Sequence, residues 1–583
     1  MKKIIIVTVL LCMVTAAGAY YFYYRSFSEK YTAEQLLPAE TLATVRFEHF
    51  KQSIDKFRSG RLGQAVSQID LNSVLTELGT PPASIKEAEN FIAGVKETLD
   101  STWFDALFGQ QVTLAVLPAD FTDAAKITEE EIARALAIVL RPRHPAKLLD
   151  WLKQMFTADI QVASETYHQW EINRFEWQPG VDVHYTVTNG LVVLALNREP
   201  VVRCLDTLQR PETSLMQNAD FQTVERELQG QPEAEAFGFI NIDELYRMGT
   251  VLLSKKMAGR PDAGFIEKQL TQLNGFIAGG YAAYDDGSTV LQKKIVVLVD
   301  RDALEPQFAR MLNVKPEIGG MLAMLPENTL GFTWQNTLDL RLYYDSLTQS
   351  EDFKPEDIEA VNANLQQKFG VSLDELVDAF GPQWGMALSS VKTGGMFPIP
   401  ELGLFIQSAR PEVAEKIILQ AVGKSDMPVL IDEYKSQRIK YLQLPFGSDL
   451  SPCYAYINGY CILAVNTNMI KSYIDTMNNG RNITGSDAFK AIDKGLSDKN
   501  NQLAFVKFDQ LIDTVPEIMR WGSSMAAYAN PDKARQFTPV AEQVINPLVD
   551  GLKMYKTVGF RSFIAEAKIE SRIYTEVDKM GTN

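Results

Sequence analysis

A chain of 583 residues that is 46% hydrophobic and 22% charged has the composition of a folded protein with several cores. Its formal net charge of −16, with no cluster of Lys and Arg, excludes mechanisms that neutralise phosphates, so no nucleic-acid partner is expected. The same charge disfavours a body lying flat on an anionic membrane, and four cysteines in so long a chain do not make a disulfide framework.

The first residues nevertheless point to a membrane. Lys2 and Lys3 precede an uncharged run from Ile4 to Tyr24, whose 21 residues match the roughly 20 that span a bilayer as a helix. Tyr20, Tyr21, Phe22, Tyr23 and Tyr24 stand where an interfacial belt would hold the outer end. The competing reading is a cleaved signal peptide, because Ala17-Gly18-Ala19 has the small-x-small form of a cleavage site. Either way the body is expected to be exported, with the lysines left in the cytoplasm.

In chain order, Leu37-Pro38 breaks what precedes it, and the β-prone Thr44, Val45 and Phe47 follow, so a turn into a strand is expected. A largely helical stretch then ends at Phe108-Gly109, where glycine suits the left-handed position after a helix. Strands are expected over Gln111 to Leu117 and Leu136 to Leu140, and Pro145 opens an amphipathic helix where its missing N–H costs nothing. A single strand from Tyr167 to Phe175 precedes the segment Tyr185 to Asn197, read YTVTNGLVVLALN. Asn189-Gly190 tolerates the positive φ angles of a type I′ turn, which makes this segment a β-hairpin. Asn197 caps a helix with apolar Val202, Leu205 and Leu208; Asp220-Phe221 introduces another. A strand-to-helix step at Phe239 to Asp243 and long strands from Phe276 to Val299 around Asp286-Gly287 follow.

The same order then recurs. Tyr454 to Asn466, read YAYINGYCILAVN, repeats the hairpin with Asn458-Gly459 placed 269 positions after Asn189-Gly190. Leu325-Pro326 matches Leu37-Pro38, Phe380-Gly381 matches Phe108-Gly109, and Gln383 to Ser390 matches the strand at Gln111. Leu402 to Ile406 leads through Pro411 into a helix, Tyr434 to Leu442 matches Tyr167 to Phe175, and Asn466 matches the cap Asn197. Phe505 to Asp509 and Val558 to Val577 complete the set. The expected fold is therefore α+β: two tandem homologous units with mainly antiparallel sheets and packed helices, after an N-terminal transmembrane helix. The expected boundaries are residues 1–30 for the anchor or signal, 31–313 for the first unit and 314–583 for the second. No low-complexity linker lies between Asp300 and Gly320, so the units are expected to pack together. Strict βαβ alternation is absent, which counts against a nucleotide-binding doubly wound fold.

This combination resembles a group of bacterial exported, membrane-anchored proteins catalogued as a domain of unknown function. The residues that carry the resemblance are the N-terminal run, Leu37-Pro38 with Thr41, the Asn-Gly hairpin running into a helix, and Ser214-Leu215 through Asp220-Phe221 to the Phe239 strand. The resemblance implies an envelope location and no activity. With the N-terminal run, it gives a single-pass protein of the cell inner membrane with its body in the periplasm, or alternatively one secreted to the periplasm after signal cleavage.

Motifs for chemistry are sparse. The four histidines, His49, His144, His168 and His184, all fall in the first unit without metal-site spacing, and there is no Cys-x-x-Cys, phosphate-binding loop or Gly-x-Ser-x-Gly elbow. Cys453 and Cys461 flank one hairpin, yet a two-residue Asn458-Gly459 turn pairs Cys461 with Tyr456 and Cys453 with Ala464, on opposite faces. Asp285-Asp286-Gly287-Ser288 reads as a turn rather than a calcium loop, and Glu129-Glu130-Glu131 as a solvated face. The candidate binding residues are the strand aromatics Trp170, Trp177, Tyr185, Tyr434, Tyr454 and Tyr456, which would line a surface for an apolar ligand or a partner unless they simply pack under helices. No catalytic set, metal or cofactor is expected. The reading is non-enzymatic binding or scaffolding in the bacterial envelope, with the membrane and another envelope protein as partners. The alternatives are a carrier of lipid or another apolar ligand, and a hydrolase with dispersed catalytic residues.

Overall fold

The structure, a computed structural model, describes residues 31–118, 133–142, 162–178, 180–230, 233–256, 263–349, 354–393, 397–422, 428–444, 447–529, 538 and 540–578. The run at 4–24, His144 and the helix expected after Pro145 lie outside these residues. Among the described residues no helix is long and apolar enough to cross a membrane. Contacts divide the chain into two compact units. One takes in the described residues up to Gly63, Asp70–Asp286 and Lys293–Ala303; the other is mainly the residues from Leu304 onward.

The first unit is built on β1 (Ala43–Glu48), β2 (Gln111–Val116), β3 (Leu136–Arg141), β4 (Ala163–Tyr167), β5 (Trp170–Gln178), β6 (Val181–Thr188), β7 (Leu191–Ala195), β8 (Ala236–Asn241), β9 (Phe276–Tyr284) and β10 (Val290–Val299). They pair in the order β4-β5-β6-β7-β3-β2-β1-β8-β9-β10, and the ladders from β4 to β9 are antiparallel. Alternate residues face opposite sides of such a sheet, and here both sides are apolar. Ala115, Val139, Trp170, Ile172 and Val193 pack on one side with residues of the helices Arg198–Gln209 and Ala219–Leu228. Val112, Ile138, Leu140, Tyr185 and Leu194 form a second core with Phe104 and Phe108 of the helix Thr102–Phe108.

The second unit contains β11 (Gly331–Gln335), β12 (Phe380–Lys392), β13 (Ile399–Ser408), β14 (Val429–Tyr434), β15 (Gln437–Leu442), β16 (Cys453–Ile457), β17 (Tyr460–Ala464), β18 (Gln502–Lys507), β19 (Tyr555–Ile564) and β20 (Lys568–Val577). Their order is β14-β15-β16-β17-β13-β12-β11-β18-β19-β20, antiparallel throughout. Strand for strand this is the order of the first unit. Its main core joins Phe405, Ile457, Ile462 and Phe505 to Ile470 and Tyr473 of the helix Thr467–Asn479 and to Phe489.

Local signals explain the hairpins and caps. Asn189, Gly190, Asn458 and Gly459 all have positive φ, from 49° to 80°, as a type I′ turn requires. The Asn197 side chain accepts from the Glu199 N–H and Asn466 from the Met469 N–H, so both helices start where their caps place them. Two expectations are corrected. The stretch Tyr167 to Phe175 is not one strand: β4 and β5 meet in a second hairpin, with His168 at φ 54°, and Lys435 and Ser436 make the matching turn between β14 and β15. The two Phe-Gly glycines do not close helices in the left-handed region. Gly109 has φ −70°, and Gly381 already belongs to β12, because the helix Leu373–Ala379 ends directly in the strand.

Candidate functional site

The strand aromatics divide between cores. Trp170 opens β5 and is buried against the face covered by the helix Arg198–Gln209, whereas Tyr185 on β6 lies in the opposite core, its ring 6.1 Å from Phe175. Burial pushes the Tyr185 hydroxyl pKa well up, as expected of a phenol held away from water. Trp177 lies on β5, with its side chain outside the described residues. Tyr434 packs against the main core of the second unit and donates to Asp475 at 3.0 Å, beside the Lys435–Asp475 ion pair. Tyr454 and Tyr456 come together on the other face of β16, their rings edge to face at 6.1 Å. Tyr454 reaches the Glu415 carboxylate at 3.5 Å, and Glu415 is paired with Lys440. Tyr456 stands opposite Cys461, and Cys453 opposite Ala464, the register expected of the Asn-Gly turn. Among the candidates whose side chains are described, only Tyr454 and Tyr456 share a surface.

The exposed apolar surface lies elsewhere, at the centre of each sheet. Beyond β3 the face that carries the second core of the first unit is only partly covered: Val45, Leu114 and Ile240 are 38%, 42% and 40% exposed, while Gly238 and Gly279 on the same face are buried. Val45 pairs with Leu114 on one side and with Gly238 on the other, so these residues are neighbours on one surface. Gly238 pairs in turn with Tyr281, and Ile240 with Gly279. The residues of β1, β2, β8 and β9 that share this face are Ala, Val, Leu, Ile, Phe, Gly and Tyr, with no charged side chain. In the second unit Met386 on β12 occupies the strand position of Leu114 and is 46% exposed, next to Leu404 on β13. The signal missed in the sequence was the absence of alternation: Val112-Thr113-Leu114-Ala115-Val116 and Leu136 to Leu140 offer no polar face.

The polar groups that converge on Glu401 are occupied with one another. Ser390 donates to Glu401 at 2.6 Å, Lys392 pairs with Glu401 and Asp449, and the capping Asn466 donates to Glu401 at 3.0 Å. Burial acts to raise the Glu401 pKa, but these donors outweigh it and hold the carboxyl below its ordinary value. A carboxylate saturated in this way is a poor general base. His49 caps a helix at φ 51°, and His184 on β6 has its pKa lowered, chiefly by burial. Among the described residues no three His, Cys, Asp or Glu side chains are grouped to hold a metal, and Cys204, Cys453 and Cys461 are free thiols. Burial raises the pKa of Cys204 and Cys453 to about 12 and that of Cys461 to about 11, which makes all three poor nucleophiles at neutral pH.

A search of curated proteins finds no match. One solved structure, titled "Structure of crystal form I of TP0453", aligns with 50% of this chain and 88% of its own at 11% identity. Its TM-score is 0.23, too low to support an argument about fold. The family model described as "Protein of unknown function (DUF3352)" matches residues 4–381, a span that includes β1 to β11 and therefore Leu114 on β2. On that match the chain belongs to the DUF3352 family of proteins of unknown function.

Proposed function

We propose that this is a membrane-tethered, exported bacterial envelope protein made of two homologous units that acts by binding rather than by catalysis. The observation that carries the reading is the partly exposed, uncharged face at the centre of the first sheet, with Met386 at the corresponding place in the second. A sheet with two apolar faces is normally covered on both, so the residues left exposed at its centre are where a contact would form. The tether rests on the uncharged run Ile4 to Tyr24, and the duplication on the shared strand order and the 269-residue spacing of the Asn-Gly hairpins. The saturated Glu401 cluster favours binding over a hydrolase. The absence of charge on that face gives specific support to the second reading, a carrier of an apolar ligand.

Cell fractionation tests the tether. The full-length chain is expected in the membrane pellet after alkaline carbonate washing, and to be digested by protease admitted to the periplasm but not by protease in the cytoplasm. Recovery of the intact chain in the soluble cytoplasmic fraction would overturn it.

A further inference from the structure

We propose that Glu34, Arg46 and Glu225 form a proton-linked latch, which fastens the single 3-10 turn Ala33–Gln35 to the first unit and grips it more tightly as pH falls. The latch is independent of the tethered, binding reading above. Three elements bring its charges together. Glu34 comes from the turn and is paired with Arg46 of β1; Arg46 also meets Glu48 of its own strand at 3.2 Å, and Glu225 comes from the helix Ala219–Leu228. Gln111 of β2 donates to Glu48 at 2.7 Å, so that carboxylate has a second partner. Three carboxylates face one guanidinium, and like charges this crowded resist being ionised together.

The burial of Glu34 makes the crowding costly. Its side chain is 1% exposed, and its Oε2 has no hydrogen-bond partner among the described residues. A charged oxygen enclosed without a donor is destabilising, and a proton on the neighbouring carboxyl relieves the repulsion it feels. Glu225 is half-buried, and burial and then Glu34 push its carboxyl up while Arg46 opposes, so it is the group that takes the proton. When the turn opens, Glu34 leaves and Glu225 keeps Arg46 to itself, which lowers its affinity for that proton. Acidification therefore favours the closed latch until the open form is protonated too. The second unit supplies a control. Leu322 and Trp334 stand where Glu34 and Arg46 do, and the turn Gly320–Ala323 buries Met321 and Leu322 instead of a charge. The Leu36 N–H donates to the Ala33 carbonyl and the Met324 N–H to the Met321 carbonyl, both at 2.9 Å, so these two amides report on the two turns within one chain.

The test is hydrogen exchange of the full-length chain, read at the Leu36 and Met324 amides by mass spectrometry with electron-transfer fragmentation and divided by the intrinsic rate at each pH. Protection of Leu36 is expected to rise by about threefold or more between about pH 7.5 and about pH 5, while that of Met324 stays level. In Glu225→Gln, Leu36 is expected to be well protected already at the upper pH and to show no further rise. Protection of Leu36 that stays level or falls on acidification, a rise shared equally by Met324, or a rise that persists in Glu225→Gln overturns the latch. Should Glu225→Gln fail to fold, the comparison of the two amides in the parent chain decides.

Discussion

Glu34 is only 1% exposed, an expensive place for a carboxylate, and Arg46 is its partner. The guanidinium also meets Glu48 at 3.2 Å and lies 5.0 Å over the Phe237 ring. In the second unit the residues 288 positions on are Leu322 and Trp334, both buried, so the same place in the sheet is filled there without charge. Removing one partner of a buried pair leaves the other uncompensated, whereas replacing both is tolerated. Arg46→Met is therefore expected to destabilise the first unit by about 3 kcal/mol, and Glu34→Leu with Arg46→Met to recover most of it, as read by denaturant melts. Glu225 gives a pH signature. Its carboxyl pKa is raised, first by burial and then by Glu34, with Arg46 opposing. Because the folded value lies above the unfolded one, its ionised form is penalised in the fold, and stability grows as pH falls through the folded pKa toward the unfolded value. Glu225→Gln should be more stable than the parent at pH 7 and lose that part of the rise on acidification. A variant no more stable at pH 7, with the same pH profile, would contradict the assignment.

At the scale of elements, what was legible in the sequence follows from which turns announce themselves. Asn189-Gly190 and Asn458-Gly459 were readable because Asn and Gly reach positive φ cheaply, and they set the register that separates Cys453 from Cys461. The hairpins at His168 and at Lys435-Ser436 were not, because no glycine marks them and the strands on both sides bear apolar and aromatic residues. Their strain is real all the same. Ser436 holds φ 64° at an exposed position, so Ser436→Gly is expected to stabilise the second unit by about 1 kcal/mol in thermal melts. A lower Tm would show that the turn is held by the serine itself. The site was the least legible part. Aromatic strands suggest a binding surface, but Trp170 and Tyr185 are consumed by cores on opposite faces. The open surface is made of aliphatic residues that composition alone marks as core, and what exposes them is how far the helices reach across the sheet. Sequence periodicity does not report that reach.

On the scale of the whole molecule, two units with one strand order carry an exposed apolar residue at the same strand position, Leu114 and Met386. Polar clusters differ between them: the Glu34–Arg46 pair belongs to the first, and the Ser390–Lys392–Glu401 set to the second. What the two units share is the strand order, partly exposed apolar residues at the sheet centre, and a tyrosine–aspartate hydrogen bond, Tyr167–Asp206 in the first and Tyr434–Asp475 in the second. The most direct measurement is native mass spectrometry of the full-length chain released gently from its own membrane. The account predicts a reproducible bound mass, of a partner protein or of an apolar ligand, that is lost in Leu114→Asp. A bare chain, or a bound mass that Leu114→Asp leaves in place, would contradict it.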